Sequence, residues 1–264
     1  MQLRSKLILV LTSISLFSSF VLLAASPEEK GRAIFEEMDR RDLGFVNFSS
    51  VQKMVLHNTS GQQSTRVMEN QVLEGESSGD KTLIIFREPK KIRGTALLTH
   101  AHQGADDDQW LFLPKLDRVK RISGASKAGS FLGSEFAYED LAPQEVDDYQ
   151  YKFIRDDIFN GEEVFVVERY PKDKDSGYTR QILWVDKTAY RIQRAEFYDR
   201  KEALAKTLEA REYKLYLDKY WRPHNLTMVN EIDGKRTELL IDEYQFRVDL
   251  ADDDFTQASL RRAR

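Results

Sequence analysis

The sequence predicts a mainly β protein, built as one antiparallel sheet curled into an up-and-down barrel that is complete or half-open. Hydrophobic spacing changes from helical to alternating after Gly44 and stays alternating for most of the chain. Connections are short and carry turn chemistry, notably Asn160-Gly161 and Asp233-Gly234, which favour the positive φ angles of tight hairpins. No helical crossover of adequate length separates successive strands, so a parallel βαβ sheet is excluded. A sheet of about 11 to 13 twisted strands curls, because accumulated twist otherwise leaves two exposed edges.

The elements can be taken in chain order. Arg4 and Lys6 precede an apolar run from Leu7 to Leu23, followed by Ala24, Ala25 and Ser26. This is the layout of a secretory signal peptide, which assigns residues 1–26 to a leader and 27–264 to a single mature domain. Serines and a threonine dilute the run, so an uncleaved anchor is the weaker alternative. The chain has no cysteine, hence no lipobox. A soluble protein of a bacterial periplasm, touching membranes only transiently, is the expectation. Ser26 can cap a helix opening with Pro27, Glu28 and Glu29, whose apolar face holds Ala33, Ile34, Phe35 and Met38 before Gly44 ends it. Strands are predicted near Val51 to His57, Arg66 to Leu73, Thr82 to Arg87, Thr95 to Ala101, Gln109 to Leu113 and Arg118 to Ser123. After an irregular stretch from Gly124 to about Asp148, they resume at Tyr149 to Arg155, Glu163 to Tyr170, Tyr178 to Val185 and Tyr190 to Phe197. Three long ones follow, from about Leu204 to Leu217, Arg222 to Glu231 and Lys235 to Phe246, with a short helix possible after Ala251.

Composition narrows the chemistry. With 44 acidic against 40 basic side chains and a formal charge of −4, the chain lacks the basic field that meets nucleic-acid phosphates. Zero cysteines exclude disulfides, thiolate zinc sites, iron–sulfur ligation and cysteine nucleophiles. Of four histidines, His100 and His102 share a strand face and run into Asp106, Asp107 and Asp108. Two close imidazoles without a third placed ligand fall short of a catalytic zinc pattern, so a solvated strand end is the preferred reading and no metal is expected. Gly129-Ser130-Phe131-Leu132-Gly133 does not match the G-x-S-x-G elbow, and no phosphate loop or dinucleotide fingerprint is present. A non-enzymatic protein without cofactors is therefore expected; a metal-dependent hydrolase using His100 and His102 is the outlier.

Several strands are apolar on both faces, as in Leu83-Ile84-Ile85-Phe86 and Trp110-Leu111-Phe112-Leu113. One reading is a solid core; the other is a face that packs a lid and a face that lines a hollow. Barrel width favours the hollow, because more than about eight strands are too wide for side chains to fill. The candidate lining of an apolar-ligand cavity is Leu83, Ile85, Leu98, Trp110, Phe112, Phe131 and Phe136. The stretch from Gly124 to Tyr138, flexible at its glycines and tipped with aromatics, reads as a gate or as a loop tucked onto the core. The nearby cations Lys115, Arg118, Lys120 and Arg121 read as a solvated edge that guards against aggregation, or as a contact for an anionic headgroup.

Three segments then carry a family resemblance. Phe86-Arg87-Glu88-Pro89 through Gly94-Thr95-Ala96-Leu97-Leu98 resembles F-x-x-P-x-x-x-x-G-T-x-x-L. Trp110-Leu111-Phe112-Leu113-Pro114 through Arg118-Val119-Lys120-Arg121-Ile122 resembles W-x-[YF]-L-P-x-L-x-R-x-[RK]-R-I. Ser130-Phe131-Leu132-Gly133-Ser134-Glu135-Phe136-Ala137-Tyr138-Glu139-Asp140 resembles S-F-x-G-S-D-F-[ST]-Y-E-D. These are motifs of the outer-membrane lipoprotein-sorting-like proteins, similar to the periplasmic lipoprotein carriers. The resemblance implies an incomplete antiparallel barrel with helices plugging an apolar interior, and a periplasmic carrier of a lipid or lipoprotein acyl chain between inner and outer membrane. It also implies an inner-membrane transporter partner of the resistance-nodulation-division (RND) or MMPL type. A sensor or adaptor that binds a lipidic signal, or docks on an exporter without moving cargo, is the alternative.

Overall fold

The computed structural model describes residues 25–75 and 79–263, so the expected leader lies outside the described residues except for its last two positions. Ser26 caps helix α1 (Pro27–Asp42). Its hydroxyl accepts from the Glu29 amide while the Glu29 carboxylate accepts from the Ser26 amide, and Pro27 occupies the first turn. Arg40 and Arg41 lie in the last turn, where cations suit the helix dipole. The buried face is Gly31, Ile34 and Phe35.

Strands β1 (Asn47–His57), β2 (Gln63–Leu73), β3 (Lys81–Glu88), β4 (Ala96–His100), β5 (Asp108–Leu113) and β6 (Arg118–Ile122) form one antiparallel meander. A second runs through β7 (Tyr149–Phe159), β8 (Glu162–Pro171), β9 (Tyr178–Asp186), β10 (Ile192–Asp199) and β11 (Leu204–Arg211). Asn160 and Gly161 make the two-residue β7–β8 turn with φ of 50° and 84°. A separate hairpin, β12 (Lys214–Tyr216) with β13 (Tyr220–Arg222), precedes β14 (Asn225–Asn230) and β15 (Arg236–Phe246). β14 pairs with β11 and β15 with β1, which joins the meanders into one 13-stranded antiparallel sheet. Its edges are β6 and β7, successive in the chain and not hydrogen-bonded to each other, so the barrel is incomplete.

The structure breaks two of the predicted long strands. Leu204 to Leu217 divides after Arg211, where Glu212 takes a φ of 58°, and Arg222 to Glu231 divides at Pro223, which has no amide to give the ladder. The β12–β13 hairpin thereby leaves the sheet and turns at Leu217 and Asp218, with φ of 49° and 54°.

Both faces of the sheet are covered at β3 to β5, which accounts for the strands there that are greasy on both sides. On the convex side the chain end forms a turn over Asp252–Phe255 and helix α2 (Gln257–Leu260). Phe255 and Leu260 bury themselves against Leu83, Ile85, Ala96, Leu98 and Phe112. The larger core lies on the concave side, under α1 and the chain between the two edge strands.

Candidate ligand-binding groove

Alternate residues of nearly every strand build the concave wall: Met54 on β1, Met68 on β2, Phe86 on β3, Leu97 on β4, Leu183 on β9 and Ile241 on β15. Among the described residues no strand of the 13-stranded sheet roofs this wall. The β12–β13 hairpin packs Tyr216 and Tyr220 on Tyr244 and Phe246, and beside it two inserted segments cover the rest. Helix α1 lies along edge strand β7, with the Phe35 and Tyr151 rings 4.7 Å apart. The second segment is the cover, residues 123–148, which carries the chain from β6 to β7 through three short 3-10 turns. Its tip is a tight loop: the Phe131 amide donates to the Phe136 carbonyl at 2.7 Å, Ser130 bridges Ala137, and Leu132 and Gly133 turn at φ of 50° and 83°. The Phe131 ring lies 5.5 Å from both Phe86 and Tyr138. The space that barrel width demands is thus occupied by side chains of the cover and the helix.

Polar contacts fasten the cover. The Asp140 carboxylate accepts from the Tyr178 hydroxyl at 2.9 Å and the Ala137 amide at 2.7 Å, and lies 3.5 Å from the Lys206 ammonium. Burial pushes the Asp140 carboxyl up, and Lys206 opposes that shift. Glu139 accepts from the Ser176 hydroxyl and the Gly177 amide, and Glu135 accepts from Asn230. Arg66 of β2 donates to the Leu132 carbonyl at 2.8 Å.

The seven residues expected to line a cavity divide between the two faces. Phe131 and Phe136 lie in the concave core. Leu83, Ile85, Leu98 and Phe112 pack on the convex side beneath Phe255 and Leu260, with Trp110 partly buried beside them. Period-2 alternation decides this: Phe86 and Met68 point inward, so the neighbouring Ile85 points outward. Sequence reasoning missed Phe86, Met54 and Met68 as wall residues, although Phe86 opens the first family motif. Among the motif residues, Gly94 takes a φ of 78° and returns its amide to the Phe86 carbonyl, while Pro89 and Pro114 shape the turns at one end of the sheet. Arg118 and Arg121 lie exposed on edge strand β6, Gly133 turns the cover tip, and Tyr138 and Asp140 pin it. His100 contacts the Phe255 carbonyl at 2.6 Å and His102 contacts Asp108 at 3.1 Å. Among the described residues no group of three histidines or carboxylates could hold a metal ion.

Three cavities open around the rim of the cover. The largest, about 570 Å³, lies at the seam between β6 and β7, where Asp107, Glu139 and Asp148 face Lys127 and Lys172. A second, about 380 Å³, lies between the end of α1 and β2 and holds Asp39, Asp42, Glu74, Asp80 and Glu145. Burial, reinforced by Asp80 and Asp148, pushes Glu145 up to about 7. Burial likewise raises Asp80 and Asp107 to about 6. The third, about 290 Å³, lies under the C-terminal half of α1, over Arg169 of β8.

A family model described as that of an uncharacterized protein matches residues 78–262. The chain is 48% identical to a putative outer membrane lipoprotein-sorting protein domain from Vibrio parahaemolyticus, with a TM-score of 0.87 over 89% of this chain and 99% of that one. A DUF1329 family protein from Desulfovibrio piger is 28% identical, with a TM-score of 0.84 over 89% of this chain and 100% of the other. A LolA superfamily protein from Nitrosomonas europaea, 23% identical over 89% of this chain and 100% of its own, shares the fold with a TM-score of 0.69. No curated protein matches the chain. Identity at this level over nearly the whole described domain puts the chain in the outer-membrane lipoprotein-sorting-like family.

Proposed function

We propose that the protein is a periplasmic, non-enzymatic carrier whose concave wall takes up the acyl chain of a lipid or lipoprotein when α1 and the cover move aside. One observation carries this reading. The wall is mostly apolar, and two inserted segments cover much of it where a closed barrel would have strands. Such segments can leave without breaking the sheet. Burying Phe131 or Phe136 stabilises the roof by roughly 1.5–3 kcal/mol each. A long acyl chain offers about 0.8 kcal/mol per methylene, near ten in total before ordering costs. The two occupants therefore compete for the same apolar surface, and loading and release turn on the difference between their burial terms.

The apolar run behind Arg4 and Lys6 and the family membership support a periplasmic setting. As the partner that delivers or receives the cargo we propose an inner-membrane transporter of the RND or MMPL type, the one that the resemblance of the three motifs implies. Lipid extraction and mass spectrometry of protein purified from its native host test the reading: a co-purifying acyl ligand is the expected result, and an empty protein that also fails to bind an acyl probe overturns it. A filled groove also suits a sensor or adaptor that keeps its roof shut until a lipidic signal arrives. Transfer of a labelled lipid between two vesicle populations separates the two, because only a carrier speeds it.

A further inference from the structure

Arg169 is 6% exposed and sits on the concave face of β8, in register with Phe165 and Val167. Among the described residues no carboxylate lies within ion-pair distance of it. Its Nε donates to the Gln181 amide oxygen at 2.7 Å and an Nη to the Gln144 amide oxygen at 3.1 Å, and its guanidinium lies 4.0 Å from the Tyr149 ring centroid. All these partners are neutral. A guanidinium held away from water without a counter-ion is costly. Arg169 acts to lower the Asp148 carboxyl, which burial raises.

Arg169 opens onto the cavity of about 290 Å³ beneath α1. Aromatic groups, Phe35, Tyr151, Tyr190, Tyr213 and Trp221, make up much of its wall. The other cations there already have oxygen partners. Arg191 is paired with Asp186 and Glu162, Arg41 with Glu37, and Arg222 with Asp42, while Lys219 donates to the Leu43 carbonyl. Asp42 is thereby engaged. Asp39, the remaining acid at the cavity, has its carboxyl pushed up by burial, with Asp42 and Glu74 adding to the shift. The volume is at the small end for a ligand pocket and suits a compact polar head better than a whole lipid. The cavity lies beside the concave wall, since Phe35 and Tyr151 belong both to its lining and to the core.

We infer that this cavity binds the anionic head of an amphiphile, a phosphate or a carboxylate, with Arg169 as the group that receives it and the tail directed along the concave wall. The inference rests on the acyl-binding reading and adds the head-group chemistry to it. Gln144 belongs to the cover, so the oxygen it presents to Arg169 leaves when the cover moves and an anionic oxygen takes its place. A planar guanidinium offers two parallel donors to such a head, and a charge-assisted pair of that kind forms in a site already stripped of water.

Calorimetric titration with three palmitoyl amphiphiles below their micellar concentrations tests this: palmitate, palmitoyl-lysophosphatidate and the neutral monopalmitoylglycerol. The expected result is that at least one anion binds about tenfold or more tightly than the neutral compound, and which of the two does so names the head. In Arg169→Gln that ratio falls toward one. In Arg169→Lys, which keeps the charge and guards against a folding defect in the first variant, it stays above one but drops. Equal affinity for all three in the wild type, or a ratio unchanged in a folded Arg169→Gln, overturns the inference while leaving acyl binding intact. Glycerol 3-phosphate alone is titrated in parallel. Its binding, lost in Arg169→Gln, with no binding of any tailed compound, sustains the head-group site and removes the carrier; no binding of any of the four removes both.

Discussion

Gly31 of α1 lies so close to the main chain of edge strand β7 that a methyl group on it would stand 2.8 Å from the Phe153 nitrogen. Helix and strand therefore touch backbone to backbone, and only glycine permits that approach. Gly31→Ala is expected to lift the helix, with a cost of about 1–3 kcal/mol from overpacking, partly offset by better helix propensity. Urea denaturation reads the loss. If α1 is one of the two roof segments, the same variant takes up an acyl probe faster than the wild type, and an unchanged uptake rate would show that the helix does not gate the groove.

Asp140 anchors the cover through Tyr178 and Lys206. Asp140→Ala strands a nearly buried ammonium and a buried phenol, and removing one partner of such a pair costs about 3–5 kcal/mol. Hydrogen exchange should therefore accelerate across residues 129–141 more than in β8 or β9. Equal acceleration everywhere would mean that the variant unfolds the whole sheet and the cover has no independent stability.

The roof should also respond to pH. Glu145, in the cover, is pushed up to about 7, and Asp80 and Asp107 to about 6, each chiefly by burial. A carboxyl whose folded pKa exceeds its unfolded one favours folding in its protonated form. Its contribution is complete below the ordinary carboxylate range, near pH 4, and is lost as pH rises through 6 to 7. The melting temperature is thus expected to fall between pH 5 and pH 8 on account of these groups, and Glu145→Gln should flatten part of that slope. A Glu145→Gln profile parallel to the wild type's would remove Glu145 from the account.

Much of the fold was legible because it rests on local rules. The capping box at Ser26 and Glu29, the Asn160-Gly161 turn and the alternation along β2 and β8 each declare themselves within a few residues. The irregular stretch from Gly124 to about Asp148 was visible as a break in periodicity, and it is the cover. What could not be read is which face of a doubly apolar strand looks inward. Leu83-Ile84-Ile85-Phe86 has no polar residue to fix the register, and the chain end that buries its outer side, at Phe255 and Leu260, lies far along the chain. The β12–β13 hairpin was hidden for a related reason: Glu212 looks like an ordinary strand residue until its positive φ is seen. Arg169 left a trace, an arginine on the inward register of Phe165 and Val167, but on a strand with so many charges it does not stand out.

Ile85 and Phe86 give the sharpest test of which side of the sheet does the binding. They are neighbours on β3, both buried, and their side chains leave the strand in opposite directions: Ile85 toward Phe255 and Leu260, Phe86 toward Phe131. Truncation to alanine should destabilise at both positions, by about 2–5 kcal/mol each, because both leave a cavity in a packed core. Their effects on ligand binding should differ. Ile85→Ala weakens only the hold of the C-terminal helix on the convex face. Phe86→Ala removes wall that an acyl tail would lie against and also loosens the seat of Phe131, so affinity for a palmitoyl probe should shift several-fold relative to Ile85→Ala once both are compared well below their melting temperatures. A larger shift for Ile85→Ala than for Phe86→Ala would place the ligand on the convex side, under the chain end, and would move the whole binding assignment from one face of the sheet to the other.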